Sequence, residues 1–396
     1  MSEIIEKFEI CSKISEDLKK KIKLFHVFDQ GNVLFVTGDD EVYSFGPNGC
    51  GICGLGHTNA VNEPQIIPEL CQKSIKQFFN GLKLMFALSQ NKQLFGWGQN
   101  DRGKLGVGIT ETPISKPRLV KFPTDETIVQ MSCNGVHTLA LTVNGRVYGW
   151  GYVEYYKLDG EQNLGPNPME LKTVSKLSVK SVNSLNGHSF VVTTDGQVFG
   201  WGWNSNCVLG HELDHLQYLT QLKPINLSNV SSVCLSFTNT YFLTNEGLIY
   251  FCGKTGDSYQ KIPKQIETDL RFNSLNSVRY YFDNKPIPVS INENGVFILD
   301  SNQIRETKYK TFFDFISNEH KMTDKTIEDK KNREILKISE INDNSSVESK
   351  FEAKFEILKD LGSGMYGQVF KVKDKTDQKI YAVKKILMKG IINKLN

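Results

Sequence analysis

The sequence predicts an all-β propeller, joined through a charged linker to a short second β-sheet, and three observations carry that expectation. First, an apolar signature closing on glycine recurs five times: Val-Tyr-Ser-Phe-Gly ending at Gly46, Leu-Phe-Gly-Trp-Gly at Gly98, Val-Tyr-Gly-Trp-Gly at Gly151, Val-Phe-Gly-Trp-Gly at Gly202 and Ile-Tyr-Phe-Cys-Gly at Gly253. The intervals are 52, 53, 51 and 51 residues, so one supersecondary unit is copied along the chain, each copy burying its apolar face on its neighbours. Second, each signature follows an apolar run and a tight turn, as in Thr138–Thr142 before Asn144-Gly145, or Ser189–Thr193 before Asp195-Gly196. Glu246-Gly247 and Asn294-Gly295 repeat that turn; two-residue turns of this kind pair antiparallel strands. Third, four short strands in a unit of roughly fifty residues is the length of a propeller blade.

Taken in order, residues 1–24 are expected to form a helical segment. Ile5, Phe8, Cys11, Ile14, Leu18, Ile22 and Phe25 fall at helical spacings, Ser15 is placed to cap, and Lys19, Lys20, Lys21 and Lys23 gather near the end. Packing on the propeller is the expectation for this face. Residues 25–315 hold the repeats. Trp97, Trp150 and Trp201 offer large packing surfaces, a glycine-rich loop follows each signature, and proline-led strands begin around Pro64, Pro117 and Pro224. Six units can be counted. The last two decay: Gly253 lacks its tryptophan, and Asn294–Asp300 has lost the signature glycines. Residues 316–354 lose glycine and alternate charges of both signs, which reads as a linker.

These repeats, above all Gly135-Val136-His137-Thr138-Leu139-Ala140-Leu141 and the less complete Gly187-His188, resemble the regulator of chromosome condensation repeat over roughly residues 25–300. The opening stretch through Val42–Gly46 looks most like the branch of that family that carries a BTB domain, although no BTB domain is recognisable. The resemblance implies a seven-bladed ring, so either six units close it or an irregular seventh position is assembled from both ends; the second is expected. It also implies binding of a protein partner through loops on a rigid scaffold, with guanine-nucleotide exchange on a small GTPase as the alternative.

Residues 355–396 carry a second resemblance. Gly362-Ser363-Gly364-Met365-Tyr366-Gly367-Gln368-Val369 is a full Gly-x-Gly-x-x-Gly-x-Val run, followed by a strand, a charged turn and Ile380-Tyr381-Ala382-Val383-Lys384. In this order it resembles the start of a protein kinase. The resemblance implies ATP binding by Leu361, Gly362, Ser363, Gly364, Met365, Tyr366, Gly367, Gln368, Val369, Ala382 and Lys384. The glycine amides would lie over the phosphates, Val369 and Ala382 against adenine, and Lys384 on the α/β-phosphates. The His-Arg-Asp and Asp-Phe-Gly motifs do not occur, so the chain is expected to be catalytically inactive, a piece of a longer propeller–kinase protein.

Other signals are discounted. His211-Glu212-Leu213-Asp214-His215 matches the zinc-protease string, but it falls in a repeat loop where Leu209-Gly210-His211 aligns with Leu55-Gly56-His57. Cys50-Gly51-Ile52-Cys53 is a single Cys-x-x-Cys without a second pair, and no metal site is expected. His137 and His188 recur at equivalent positions and read as buried hydrogen-bonding groups. Forty-seven basic against 44 acidic side chains give a net charge of +3, too balanced to argue for nucleic acid. Eight scattered cysteines fit reduced thiols in cytosol or nucleus, and no apolar stretch reaches membrane-spanning length.

Overall fold

A computed structural model describes residues 5–6, 8–28, 31–133, 135–151, 165–214, 217–279, 286–312, 314–316, 355–364, 367–375 and 380–385. The chain divides into two compact units, one within residues 1–329 and the other within 330–396. Nearly all of the expected linker lies outside the described residues.

The first unit contains six antiparallel sheets of four strands, each in simple up-and-down order. The first sheet is β1 (Ile22–Phe28), β2 (Asn32–Thr37), β3 (Val42–Gly46) and β4 (Val61–Ile66). The second is β5 (Ile75–Gly81), β6 (Leu84–Ser89), β7 (Leu94–Gly98) and β8 (Ile114–Val120). The third is β9 (Ile128–Ser132), β10 (His137–Thr142), β11 (Val147–Gly151) and the two-residue β12 (Met169–Glu170). The fourth is β13 (Val179–Leu185), β14 (His188–Thr193), β15 (Val198–Trp203) and β16 (Tyr218–Pro224). The fifth is β17 (Val230–Leu235), β18 (Asn239–Thr244), β19 (Ile249–Thr255) and β20 (Ser258–Gln265). The sixth is β21 (Ser274–Arg279), β22 (Pro286–Asn292), β23 (Gly295–Asp300) and β24 (Gln303–Glu306).

The apolar run before each turn becomes the second strand, and the signature becomes the third. In the first five sheets every residue of the second strand is buried. Burial on both faces requires a packed layer on each side, a neighbouring sheet or, on the first sheet, the opening segment. Apolar clusters fill the joints accordingly. Phe86, Leu105, Ala140 and Trp150 share one between the second and third sheets; Phe190, Leu209, Phe242 and Cys252 share another between the fourth and fifth. First strands of successive sheets neighbour one another, which leaves the fourth strands as outer edges. The prolines expected to lead strands sit inside these edges, Pro64 in β4, Pro117 in β8, Pro224 in β16, joined by Pro263 in β20. A residue without an N–H is tolerated there, and it blunts the edge against pairing with another chain.

Two local expectations are corrected. The turns at Asn144-Gly145, Asp195-Gly196 and Glu246-Gly247 are not two-residue turns, whereas in the sixth sheet Asn292 pairs with Gly295 around two residues. Thr142 N–H donates to the Arg146 carbonyl at 2.9 Å and Gly145 N–H to Thr142 at 3.0 Å, closing a three-residue loop in which the glycine alone is left-handed, with φ of 79°. A two-residue turn of the type expected needs both central residues left-handed, whereas this loop needs one. Thr193–Gln197 and Thr244–Leu248 repeat the arrangement, and the hydroxyl of Thr193 accepts from Gln197 N–H at 3.0 Å. The helical segment expected over residues 1–24 is also broken into short pieces. Glu9–Lys13 form a 3-10 turn, α1 covers only Glu16–Lys21 with Ser15 Oγ accepting from Leu18 N–H, and Ile22 already begins β1. Its apolar side chains are buried regardless: Ile5, Phe8, Cys11 and Ile14 pack on Val33, Phe35 and Phe45 of the first sheet.

The second unit's described residues form one antiparallel sheet in the order β25 (Phe355–Gly364), β26 (Gly367–Asp374) and β27 (Ile380–Lys385).

His137 and His188 are buried at the starts of β10 and β14, with His137 Nε2 2.7 Å from Ser189 Oγ. Burial lowers the imidazole of His137 to about 4 and, with the neighbouring His137, that of His188 to about 3. Both are neutral when folded, whereas an unfolded histidine takes up a proton below about pH 6.5. Stability is therefore fully present above that pH and falls as the pH drops toward the folded values. Urea midpoints should fall between pH 7 and 5, each histidine contributing up to about 2 kcal/mol. The His137→Gln, His188→Gln double variant should show a visibly shallower pH slope.

Candidate interaction loops and the glycine-rich hairpin

Three of the loops that follow a signature glycine, after Gly46, Gly98 and Gly202, are built around a buried asparagine two residues on. Asn48, Asn100 and Asn204 are at most 1 % exposed. Their side-chain carbonyls accept from the N–H five residues later, Cys53 at 2.8 Å, Leu105 at 3.0 Å and Leu209 at 3.0 Å. Their NH2 groups donate across the loop, from Asn48 to the carbonyls of His57 and Asn59, from Asn100 to Ile109 and Glu111, and from Asn204 to Leu213 and Asp214. An amide can both donate and accept, so one side chain holds both arms of the loop. The sequence reading passed over these residues. The available signal was an asparagine at the same offset from Gly46, Gly98 and Gly202.

The loop is then fastened to the next sheet. Trp97 Nε1 donates to the Ile52 carbonyl at 2.7 Å, and Trp150 Nε1 to the Lys104 carbonyl at 2.9 Å. Cys252 stands where the fifth signature lacks tryptophan, and its Sγ lies 3.2 Å from the equivalent Val208 carbonyl. The thiol preserves the contact with a weaker donor. Close approach of the loop requires glycine: a Cβ at Gly106, whose φ is 73°, would lie 2.7 Å from Trp150 Nε1.

Fixed from below, these loops present side chains at their tips. Arg102 and Asn206 occupy equivalent left-handed positions, at φ of 66° and 56°. Lys104 is buried beside Asp101, 3.2 Å away; burial depresses its ammonium pKa and the carboxylate opposes that shift. On the fourth and fifth sheets the same end carries Trp203 tilted against Tyr218 at 4.3 Å between ring centroids, the Lys261–Asp214 ion pair at 2.6 Å, and an exposed Tyr259.

His211 lies in a bend rather than a helix, and His215 falls outside the described residues. Among the described residues no three His, Cys, Asp or Glu side chains gather as a metal site. Cys53 is buried with its Sγ 3.6 Å from Asn32 Oδ1, and burial pushes its thiol up to about 11, away from reactive thiolate.

In the second unit, the glycine-rich run forms the β25–β26 hairpin. Leu361, Gly362, Ser363 and Gly364 end β25, Gly367, Gln368 and Val369 begin β26, and Met365 and Tyr366 fall outside the described residues. Gly364 pairs with Gly367, Ser363 with Gln368 and Gly362 with Val369, while Leu361 sits at a slip in register. On β27 Lys384 pairs with Val369 and Ala382 with Lys371, so Gly362, Val369 and Lys384 stand in one row across three strands.

Two substitutions test the loop geometry by urea denaturation. Asn100→Ala strands a buried N–H and two carbonyls, and should cost about 2–4 kcal/mol. Gly106→Ala meets both a left-handed backbone and the Trp150 ring, and should cost at least about 2 kcal/mol.

Comparison with known proteins agrees with this architecture. The family model described as the regulator of chromosome condensation (RCC1) repeat matches residues 92–141, and a second model of the same repeat matches residues 128–155 and 179–206. The human E3 ubiquitin-protein ligase HERC2 is 28% identical over 240 residues, which is 59% of this chain and 5% of HERC2. The ultraviolet-B receptor UVR8 of Arabidopsis thaliana is 29% identical over 245 residues, 60% of this chain and 54% of the receptor. The chain thus spans about half of one of these relatives and a small part of the other. Among solved structures, Prp20p of Saccharomyces cerevisiae aligns with a TM-score of 0.55 at 20% identity, covering 72% of this chain and 73% of that one. Human WBSCR16 aligns with a TM-score of 0.51 at 20% identity, covering 62% and 67%. Residues 92–155 and 179–206 thus match the regulator of chromosome condensation repeat, and the larger unit shares the fold of Prp20p.

Proposed function

We propose that the propeller recruits a protein partner through the loops that follow its signature strands. The observation that carries this reading is the way those loops are held. A buried asparagine and a clip to the next sheet fix the backbone, while Arg102, Tyr218 and Tyr259 are exposed. A surface ordered before binding loses little entropy on association, and Arg and Tyr are favoured at the centres of protein interfaces. Support also comes from a structural relative of the same fold: Prp20p is described with binding properties to Gsp1p and histones, and yeast RCC1 (Prp20) has been solved bound to Kap60. Immobilised residues 1–316 should retain a specific protein that an Arg102→Glu, Tyr259→Ala variant of unchanged melting temperature releases. Equal retention by both would defeat the proposal.

The same fold likeness to a Gsp1p-binding protein favours guanine-nucleotide exchange as the second reading. Its test is the rate of labelled nucleotide release from a panel of small GTPases; rates unchanged by the propeller exclude it.

For the hairpin, we propose the start of a kinase N-lobe with ATP as its ligand. The supporting feature is the register: glycine backbone at Gly362, Gly364 and Gly367 beside a lysine strand. The glycines leave amides open to phosphate, and Lys384 supplies the cation in the position that the kinase pattern requires. Titration of the full chain with a fluorescent ATP analogue should show binding that Lys384→Ala weakens at least tenfold. Indistinguishable curves would remove ATP from the account.

A further inference from the structure

Five of the joints between successive sheets are filled by side chains from the two sheets that meet there. The outer faces of the first and sixth sheets are covered differently. On the first sheet, Val33, Phe35, Phe45 and Val61 are covered by Ile5, Phe8, Cys11 and Ile14, from a segment that is not a strand. On the sixth, Val289 and Val296 are covered by Phe315, with Tyr309 and Phe312 beside it. That second cover is anchored to its own sheet, because Val296 N–H donates to the Tyr309 carbonyl at 3.0 Å and Thr307 N–H to the Val296 carbonyl at 3.0 Å. It ends in a helical turn capped by Thr311, whose Oγ1 accepts from Asp314 N–H at 3.1 Å. Ile316 follows, and it packs against both apolar clusters.

We propose that these two segments form a strap closing the first sheet against the sixth, and that the seam at Ile316 is where the propeller opens locally without unfolding its sheets. The other joints combine apolar area with hydrogen bonds. The third and fourth sheets, for example, are tied by Gln130, whose amide accepts from Val182 N–H at 3.0 Å and donates to the Val182 carbonyl at 3.1 Å, and by Ser184 N–H donating to Ser132 Oγ at 2.8 Å. At the seam, among the described residues, the side chain common to both clusters is one half-buried isoleucine. The element with the fewest cooperative contacts is the one that opens at the lowest free energy. Opening there uncovers an apolar sheet face that the strap otherwise occupies, so any other apolar segment would have to compete with the strap for it.

Cysteines report the motion. Cys11 lies within the strap, 1 % exposed, and Cys252 lies between the fourth and fifth sheets, 0 % exposed. Neither reacts while buried, since burial raises both thiols far above the reactive range. Full-length protein is treated with N-ethylmaleimide under native conditions and the modified peptides are resolved by mass spectrometry. Cys11 should react at least tenfold faster than Cys252. Ile316→Ala should speed Cys11 about tenfold further and leave Cys252 unchanged. The proposal is overturned if both cysteines react at one shared rate, if Ile316→Ala accelerates both equally, or if it leaves Cys11 as it was. Ile316→Val, a smaller truncation, provides the same comparison should the alanine variant unfold, which rapid Cys252 labelling would reveal.

Discussion

A second strand buried on both faces cannot exist in an isolated sheet, and this requirement organises the larger unit. Leu84–Ser89, His137–Thr142 and His188–Thr193 have no solvent-facing side, so each must be enclosed between two neighbours. The hydrophobic effect alone would be met by many ways of stacking sheets, because it has no direction. Direction comes from the polar contacts at the signature end. Trp97 and Trp150 each bury an indole whose N–H must find an acceptor, and the acceptor is a loop carbonyl of the preceding sheet. That pairing sets which loop meets which sheet, and at what height.

The same contacts connect stability to recognition. The loops at the signature end, where we propose that a partner binds, are not loose connections, since a buried asparagine and a neighbouring indole hold their backbones. Arg102 and Asn206 occupy loop positions that the motif repeats geometrically but not chemically. The fifth sheet shows how far the arrangement bends. Cys252 replaces a tryptophan and the joint survives, because surrounding apolar side chains still fill the core and a thiol still points at the same carbonyl.

The covering of the terminal faces follows from the same requirement. Where no further sheet packs, the first and sixth sheets still have apolar faces to hide, and short irregular segments do so with Phe8 and Phe315. Side chains can hide apolar area without ordered backbone pairing, which explains how the opening segment buries Ile5, Phe8, Cys11 and Ile14 without one continuous helix.

By itself, the sequence determined the repeated unit, its four-strand grammar and the identity of the buried signature, because period and apolar pattern are properties of neighbouring residues. The glycine-rich run and Lys384 were likewise legible as a motif, and the hairpin register brings Gly362, Val369 and Lys384 into one row. Only the tertiary structure decided the three-residue turns, the start of β1 at Ile22, the outer-edge place of the prolines and the asparagine-centred loops. Each of these depends on a partner dozens of residues away or on a backbone angle that several residue types can adopt. Asn100 looks like any loop asparagine until Leu105, Ile109 and Glu111 fold around it. Its role lies in the closing of the loop, and local sequence does not encode that closure.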